Sequence, residues 1–300
     1  MTEFFQHLVN GLSLGSVYAL IALGYTMVYG VLQLINFAHA EVFMLGAFSG
    51  YYLASWLPPF SREPRFVVVL SLSMAICACI GVVIERFAYR PLRQSPRLNA
   101  LITAMGVSML IQAIGQLPFF MGPSPRFFPE LLPNRTLLSA AGVSLTTLQA
   151  VTLGAAVLLM IGLHRLVFHT RFGAAMRAVS FDGRTAGLMG IDANRVIALT
   201  FMVGSALAAA AGILVGLSYP RIEPTMGVLL GLKAFVAAVL GGIGNIRGAM
   251  VGGMIIGLVE AMAVGYGSSS YRDAVAFGIL ILVLVFKPSG IFGKAVVEKV

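Results

Sequence analysis

The sequence predicts an all-α fold, a polytopic bundle of about eight to nine transmembrane helices. Of the 300 residues, 59% are hydrophobic and only 10% are charged, and the mean hydropathy is +0.94. A water-soluble core of this length could not bury so much apolar surface. The apolar residues form runs of about 20, whereas membrane β-barrels show segments of about ten residues with alternating polarity. We therefore treat residues 1–300 as a single transmembrane domain.

Nine stretches have the length and low charge of membrane spans, and they cover residues 8–30, 42–57, 66–84, 98–118, 147–168, 196–219, 226–243, 248–266 and 272–286. The second and the last are short, and residues 226–243 fit a re-entrant segment as well as a span, which leaves eight or nine crossings open. The N-terminal residues MTEFFQH lack the basic region of a signal peptide, and the apolar run behind them is too long for one. We expect this segment to be retained.

The basic residues predict the orientation of the bundle, because cytoplasmic loops carry an excess of Lys and Arg. One set of alternate loops and the tail holds 13 of them, namely Arg86, Arg90, Arg93, Arg97, Arg165, Arg171, Arg177, Arg184, Arg195, Arg247, Lys287, Lys294 and Lys299. The opposite side holds six, namely Arg62, Arg65, Arg126, Arg135, Arg221 and Arg272. This asymmetry predicts an external N-terminus and a cytoplasmic C-terminus, and it favours nine crossings. Because the charges are spread over loops, the net charge of +9 indicates no nucleic-acid partner.

Motif-like stretches predict no catalytic residue and no metal site. Residues 11–15, GLSLG, match the nucleophile pattern G-x-S-x-G, but that pattern requires a strand-to-helix turn, and here it opens a membrane helix. His39 and Glu41 match the H-x-E of zinc deaminases, but on a helix they point about 200° apart, and the second zinc motif is absent from the sequence. No phosphate-binding G-x-x-x-x-G-K-[ST] occurs, so we expect no ATP hydrolysis by this chain.

Small residues recur every four positions in two of the spans. They include Gly204, Ala208 and Gly212 in the sixth span and Gly253 and Gly257 in the eighth. Such stripes allow helix backbones to approach closely. We expect these residues to pack helices together at the bundle centre, and the sequence leaves open whether those helices also shift against one another.

Two charged residues lie deep in predicted spans, Lys233 and Glu260. Glu260 is seven residues after Gly253 and therefore lies on nearly the same face of its helix, which points it towards the bundle. Intramembrane charges usually pair with one another or line a water-filled path. The sequence leaves both open, a structural pair between Lys233 and Glu260 and a role in a translocation path.

Two long polar segments lie on opposite sides of the predicted membrane. Residues 119–146 form the longest external segment, and their prolines predict a stiff, extended loop. Residues 171–196 form the longest cytoplasmic segment, in which Asp182 as N-cap and Gly190 as C-cap predict a short helix outside the membrane. Such a helix is either a simple interfacial connection or a docking element for a separate motor protein.

Several blocks in order give the chain an end-to-end resemblance to a known family. They are NGLSLGSVYALIALGYTMVYG followed by INFAHAE, ERFAYRPLR at 85–93, LMGIDANRVIALTF at 188–201, KAFVAAVLGGIGNIRGAM at 233–250 and KPSGIFG at 287–293. The chain resembles the permease subunit of high-affinity branched-chain amino acid ABC importers. The resemblance implies a multi-pass protein of the bacterial inner membrane that imports leucine, isoleucine and valine. It implies as partners a homologous permease, two ATPase subunits that bind ATP and Mg, and a periplasmic or extracellular binding protein.

The resemblance also implies roles for residues. A cytoplasmic helix of such permeases seats in the ATPase, which makes the coupling candidates Arg177, Asp182, Arg184, Gly187, Met189, Gly190 and Asp192. It implies alternating access, with ATP turnover moving the helices and no cofactor on this chain. Asn36 and His39 share a helical face where the first span ends, so they are candidates either for hydrogen bonds that fix a helix break or for the inner mouth of the path. Lys233 and Glu260 are further candidates for the path.

Three other functions compete with this interpretation. A urea or short-amide importer permease would share the architecture and several blocks. An ion-coupled secondary carrier would use Lys233 and Glu260 and would need no ATPase. An intramembrane enzyme would need a catalytic pair in one pocket, which the motifs do not supply.

Overall fold

The computed structural model describes residues 2–57, 62–93, 95–140 and 142–293, and it is mainly helical. Its α-helices are α1 (Thr2–Leu32), α2 (His39–Trp56), α3 (Arg62–Ile84), α4 (Arg97–Gly115), α5 (Thr147–His169), α6 (Arg171–Phe181), α7 (Gly183–Leu188), α8 (Ala193–Ser218), α9 (Met226–Gly241), α10 (Ile246–Tyr266) and α11 (Arg272–Phe286). Its strands are β1 (Arg126–Phe127), β2 (Thr136–Ala140), β3 (Val143–Thr146) and β4 (Arg221–Ile222). The tail residues Lys294 and Lys299 lie outside the described residues.

Each of the nine predicted spans corresponds to a helix, which confirms the helical bundle. Among the described residues, seven helices are long and apolar enough to cross a membrane, and α2 and α9 are not among them. The helix α9 has only 16 residues, and α2 carries His39 and Glu41 in its first turn. Beyond Ile84, α3 continues through a π-helical turn, Glu85–Tyr89, and a 3-10 turn, Arg90–Leu92.

The core of the bundle lies around α1 and α8. In their most apolar stretches, 83% of the α1 residues and 72% of the α8 residues are buried, against 17% in α4 and 6% in α11. The helix α10 lies along α1, and α8 packs against α1, α2 and α3. The helices α4 and α11 are therefore peripheral, and most of their apolar side chains face outwards, as expected of a chain whose surroundings are lipid or another membrane subunit.

The segment 119–146 corrects the prediction of an all-α chain with an extended external loop. The strand β1 pairs antiparallel with β4, and β2 pairs with β3 in a hairpin. Gly142 lies in the hairpin turn at a φ of 79°, a left-handed conformation that favours glycine. The Gln6 side chain binds the Ser144 backbone and so ties the hairpin to the start of α1. The prolines drew the prediction towards an extended loop, although β2 and β3 follow the last of them and only β1 lies between two of them.

The segment 171–196 contains the predicted short helix and one more. The helix α7 begins after Asp182, whose carboxylate accepts hydrogen bonds from the backbone N–H groups of Arg184 at 2.9 Å and Thr185 at 3.2 Å. The predicted helix and its N-cap are confirmed, whereas the C-cap is Met189 and Gly190 follows it at a φ of 83°, in the left-handed conformation that commonly ends a helix. The prediction missed α6, which Thr170 caps and which buries Gly173, Met176 and Val179 at helical spacing.

Candidate translocation site and coupling segment

Lys233 and Glu260 form the centre of a buried charge network. The Lys233 Nζ donates a hydrogen bond to Glu260 Oε1 at 3.1 Å, and both side chains are at most 3% exposed. The Tyr18 hydroxyl on α1 donates to Glu260 Oε2 at 2.8 Å. At the start of α11, Arg272 Nε lies 3.2 Å from Glu260 Oε1 and Asp273 Oδ1 lies 2.6 Å from Lys233 Nζ.

The network joins four helices and has no net charge. Its two cations and two carboxylates come from α9, α10 and α11, and Tyr18 adds α1. A buried ion pair persists only where further hydrogen bonds satisfy its atoms. This geometry fixes the relative positions of α9, α10 and α11 at this level of the bundle.

A cavity of about 460 Å³ adjoins the network on the side of the β2–β3 hairpin. Glu260 and Arg272 line it together with polar side chains of α1 and α5, including Asn10 and Gln149. Gln149 donates to Asn10 at 2.8 Å, which links the two helices at the rim. The network therefore adjoins a cavity that is lined by both polar and apolar side chains, and its own charges are already paired.

The break between α1 and α2 holds Asn36 and His39 in different surroundings. The Tyr89 hydroxyl, in the π-helical turn, donates to Asn36 Oδ1 at 2.7 Å, and both groups are buried. His39 begins α2 and is buried against Gly24 of α1, with its ring 4.8 Å from that of Tyr25. The two residues therefore join the break to neighbouring helices and do not meet each other in one site.

Glu41 is a buried polar residue that the sequence analysis did not include among the site candidates. It is 1% exposed, and the Ser108 hydroxyl of α4 donates to its Oε1 at 3.1 Å. Within the described part of the chain, its Oε2 has no hydrogen-bond partner. The sequence did contain a signal that could have identified Glu41, namely an ionisable residue at the start of an apolar stretch. Ionisable residues are rare in membrane spans and usually have a function there.

The predicted small residues lie at close helix contacts. Gly253 and Gly257 of α10 face the backbone of α1 at Ala19 and Gly15. On α8, Gly204 faces Gly24 of α1, Gly212 faces α2 at Phe43, and Ala208 is fully buried. A side chain at Gly257 would have no flexible neighbour to displace, since what it would meet is backbone.

The coupling candidates surround a knob formed by α6 and α7. Apolar side chains stand exposed on it, with Phe181 96%, Leu188 88% and Met189 80% accessible, and Arg184, Gly187 and Gly190 are exposed beside them. The hydroxyl and N–H groups of Thr185 and the N–H of Arg184 hold the pKa of the Asp182 carboxyl below its ordinary value, so this cap stays ionised at neutral pH. Phe181 and Leu188 were not among the sequence candidates.

The knob is attached to the bundle through α6. Arg177 binds the Val167 carbonyl at the end of α5, and the Ser180 hydroxyl binds the Gly30 carbonyl of α1. Asp192 caps α8 by accepting from the backbone of Asn194 at 2.9 Å. Contacts therefore connect the knob directly to α1, α5 and α8, and the α1 contact is just before the break at residues 33–38.

The chain matches the model of one protein family over residues 7–284, and that family is described as the permease component of the branched-chain amino acid transport system. The chain belongs to this family. It is 44% identical over 304 residues to the high-affinity branched-chain amino acid transport system permease protein BraD of Pseudomonas aeruginosa, covering 99% of this chain and 98% of BraD. It is equally similar, at 44% over 303 residues, to the corresponding permease protein LivH of Escherichia coli, with coverage of 99% and 98%.

The chain is also similar, more distantly, to the ribose import permease protein RbsC of Escherichia coli. The identity is 25%, covering 93% of this chain and 84% of RbsC. Among solved structures, the chain is similar to an inward-facing metal-chelate type ABC transporter. The TM-score is 0.53 at 19% identity, covering 94% of this chain and 88% of the other. At that identity the likeness shows a shared fold. The predicted resemblance to branched-chain amino acid permeases is thereby confirmed at the level of the family.

Proposed function

We propose that this chain is the permease subunit of an ATP-driven importer of leucine, isoleucine and valine in a bacterial inner membrane. The observation that carries the proposal is the 44% identity, over nearly the full length of both chains, to two permeases named for branched-chain amino acid transport. The chain pairs with a homologous permease, and the path runs between the two. Two ATPase subunits bind ATP and Mg on the cytoplasmic side, and a binding protein delivers substrate from outside.

The proposed orientation has nine crossings, an external N-terminus and a cytoplasmic C-terminus. Nine helices that match the predicted spans support it, as does the excess of basic residues in alternate loops. Two of these helices, α2 and α9, are short. Together with the break at residues 33–38, they leave stretches of non-helical backbone inside the proposed membrane region. Membranes tolerate such backbone where it is buried in protein or lines a water-filled path.

The proposed mechanism is alternating access driven from the knob. Exposed apolar side chains at the tip of α7 fit a hydrophobic cleft on an ATPase subunit, because water would otherwise surround them at a free-energy cost. When ATP closes the ATPase dimer, the knob moves as a rigid body and displaces α1 through the contact of Ser180 with Gly30. The movement reaches the α1–α2 break and opens the path to one side at a time.

Replacing Leu188 with aspartate should lower ATP-dependent leucine uptake at least about tenfold, because a charge would have to be desolvated in an apolar cleft. The measurement is uptake into proteoliposomes that hold this chain with its co-encoded permease, ATPases and binding protein. Hydrolysis of ATP without uptake is the expected pattern. The matched control is Leu188→Met, which keeps the apolar volume and should transport at the wild-type rate. Normal uptake by Leu188→Asp would remove the knob from the mechanism, and wild-type uptake that needs no ATP would overturn the proposed function.

A further inference from the structure

Glu41 differs from the other buried carboxylates of the described residues. Glu85 forms an ion pair with Arg93, and Glu260 meets Lys233 and Arg272. Among the described residues, Glu41 is as deeply buried as these two but forms no salt bridge, and its Oε2 has no hydrogen-bond donor. An uncompensated carboxylate in a membrane protein costs several kcal/mol, so such a residue ordinarily has a function.

The surroundings of Glu41 place it beside an outer helix of the bundle. Its Oε1 is held by Ser108 of α4, a helix that is mostly unburied in this chain. On its other side is the first turn of α9, where a Cβ at Gly227 would lie 3.1 Å from Glu41 Oε2. Glycine at this position therefore brings the α9 backbone close to the buried, unpaired oxygen without supplying a side chain that could pair with it, so a ligand reaches this oxygen when α9 moves away.

The position of Glu41 indicates whether lipid or the translocation path lies along the outer side of α4 and α9. Ionisable groups inside membranes face a bundle interior or a water-filled cavity rather than lipid. Side chains close in sequence to Ser108 and Gly227 are exposed on these helices, namely Met105 and Met109 of α4 and Val228 and Leu229 of α9. Only one peripheral helix separates Glu41 from whatever surrounds this side of the chain. The outer side formed by α4 and α9 therefore fits the translocation path better than contact with lipid.

We propose that Glu41 binds the ammonium group of an amino acid as it passes along the path, with Ser108 holding the carboxylate in place. This inference rests on the proposed function and names the residue that recognises the substrate charge. An ammonium group carries three N–H donors and a positive charge, and it supplies what Glu41 Oε2 lacks. Urea is neutral and cannot compensate the carboxylate in the same way, so this site also selects amino acids over urea.

The test uses the complete reconstituted importer with Glu41→Gln, which keeps the shape of the side chain and removes its charge. Leucine uptake is expected to fall at least about tenfold, while stimulation of ATP hydrolysis by the loaded binding protein stays within twofold of wild type. Ser108→Ala should give a smaller loss of uptake in the same assay. The matched control is Glu3→Gln, which removes a carboxylate from an exposed position in the first turn of α1 and should transport normally.

A binding measurement separates charge recognition from folding. Saturation-transfer NMR on the purified complex without binding protein should show contact of the wild type with leucine but not with 4-methylpentanoate, which lacks the ammonium group. Glu41→Gln should lose the leucine contact while its melting temperature is unchanged. Uptake by Glu41→Gln at the wild-type rate would overturn this inference and leave the proposed function intact. If uptake, ATP hydrolysis and the melting temperature of Glu41→Gln all fall together, the inference is also overturned, because that pattern shows a structural role for Glu41. Failure of the wild type to import leucine would instead overturn the proposed function.

Discussion

Replacing Gly257 with leucine is expected to prevent the bundle from packing. A Cβ at this position would collide with backbone atoms of Gly15 and Gly11 on α1, so relief requires α1 and α10 to separate. Overpacking a core typically costs about 1–3 kcal/mol where side chains can move, and more where they cannot. We expect the variant to lose its monodisperse peak in detergent size-exclusion chromatography and to show no cooperative melting transition.

The matched control is Gly162→Leu in α5. Apart from the backbone of its own helix, no atom of the described residues lies within 4 Å of a Cβ built at Gly162, so a leucine there projects into open space on the outer side of the helix. This variant should elute and melt like the wild type. A Gly257→Leu protein with the same melting temperature as Gly162→Leu would contradict the close packing of α1 on α10.

Replacing Lys233 with methionine is expected to destabilise the protein by about 3–5 kcal/mol, the usual cost of removing one partner of a buried ion pair. Lys233 is the cation that Glu260 and Asp273 share. Without it, Asp273 loses its ion pair and Glu260 keeps Arg272 and Tyr18. The free energy of unfolding, or the melting temperature in a fixed detergent, measures the effect.

A double-mutant cycle tests the pairing directly. In Lys233→Met with Glu260→Gln, both partners of the pair are gone, so the second substitution no longer breaks an interaction with Lys233, and the combined loss should be smaller than the sum of the single losses. The control is Arg221→Met, which removes an exposed ion pair with Glu223 and should cost about 1 kcal/mol or less. Additive effects of Lys233→Met and Glu260→Gln would show that the two side chains do not interact.

The helices of the bundle could be predicted from the sequence because membrane spans are encoded locally. Apolar runs of about 15 to 24 residues were sufficient to place nine of the eleven α-helices. The helix α6 was missed because Arg171 and Arg177 lie within it, and positive charges at this density were interpreted only as a topology signal. The strands β1 and β4 are two residues each and lie far apart in the chain, so local pattern carries almost no information on their pairing.

The candidate site was predictable only in part. The pairing of Lys233 with Glu260 was one of two open alternatives, since they were the only charges deep in predicted spans. Arg272 entered the sequence analysis only as one of the six external basic residues and Asp273 not at all, because both lie at the edge of a span, where charges are ordinary. Glu41 was weighed only as a metal partner of His39, because the absence of a cation near it is a property of the packed structure.

The measurement that tests the account most directly is uptake of labelled leucine and labelled urea, offered separately, into proteoliposomes holding the complete importer. The account predicts leucine uptake that requires ATP and the binding protein and that excess unlabelled urea does not reduce. ATP-dependent entry of urea with leucine left outside would contradict the proposed substrate and the role of Glu41. Entry of leucine without ATP, driven by an ion gradient, would contradict the importer itself.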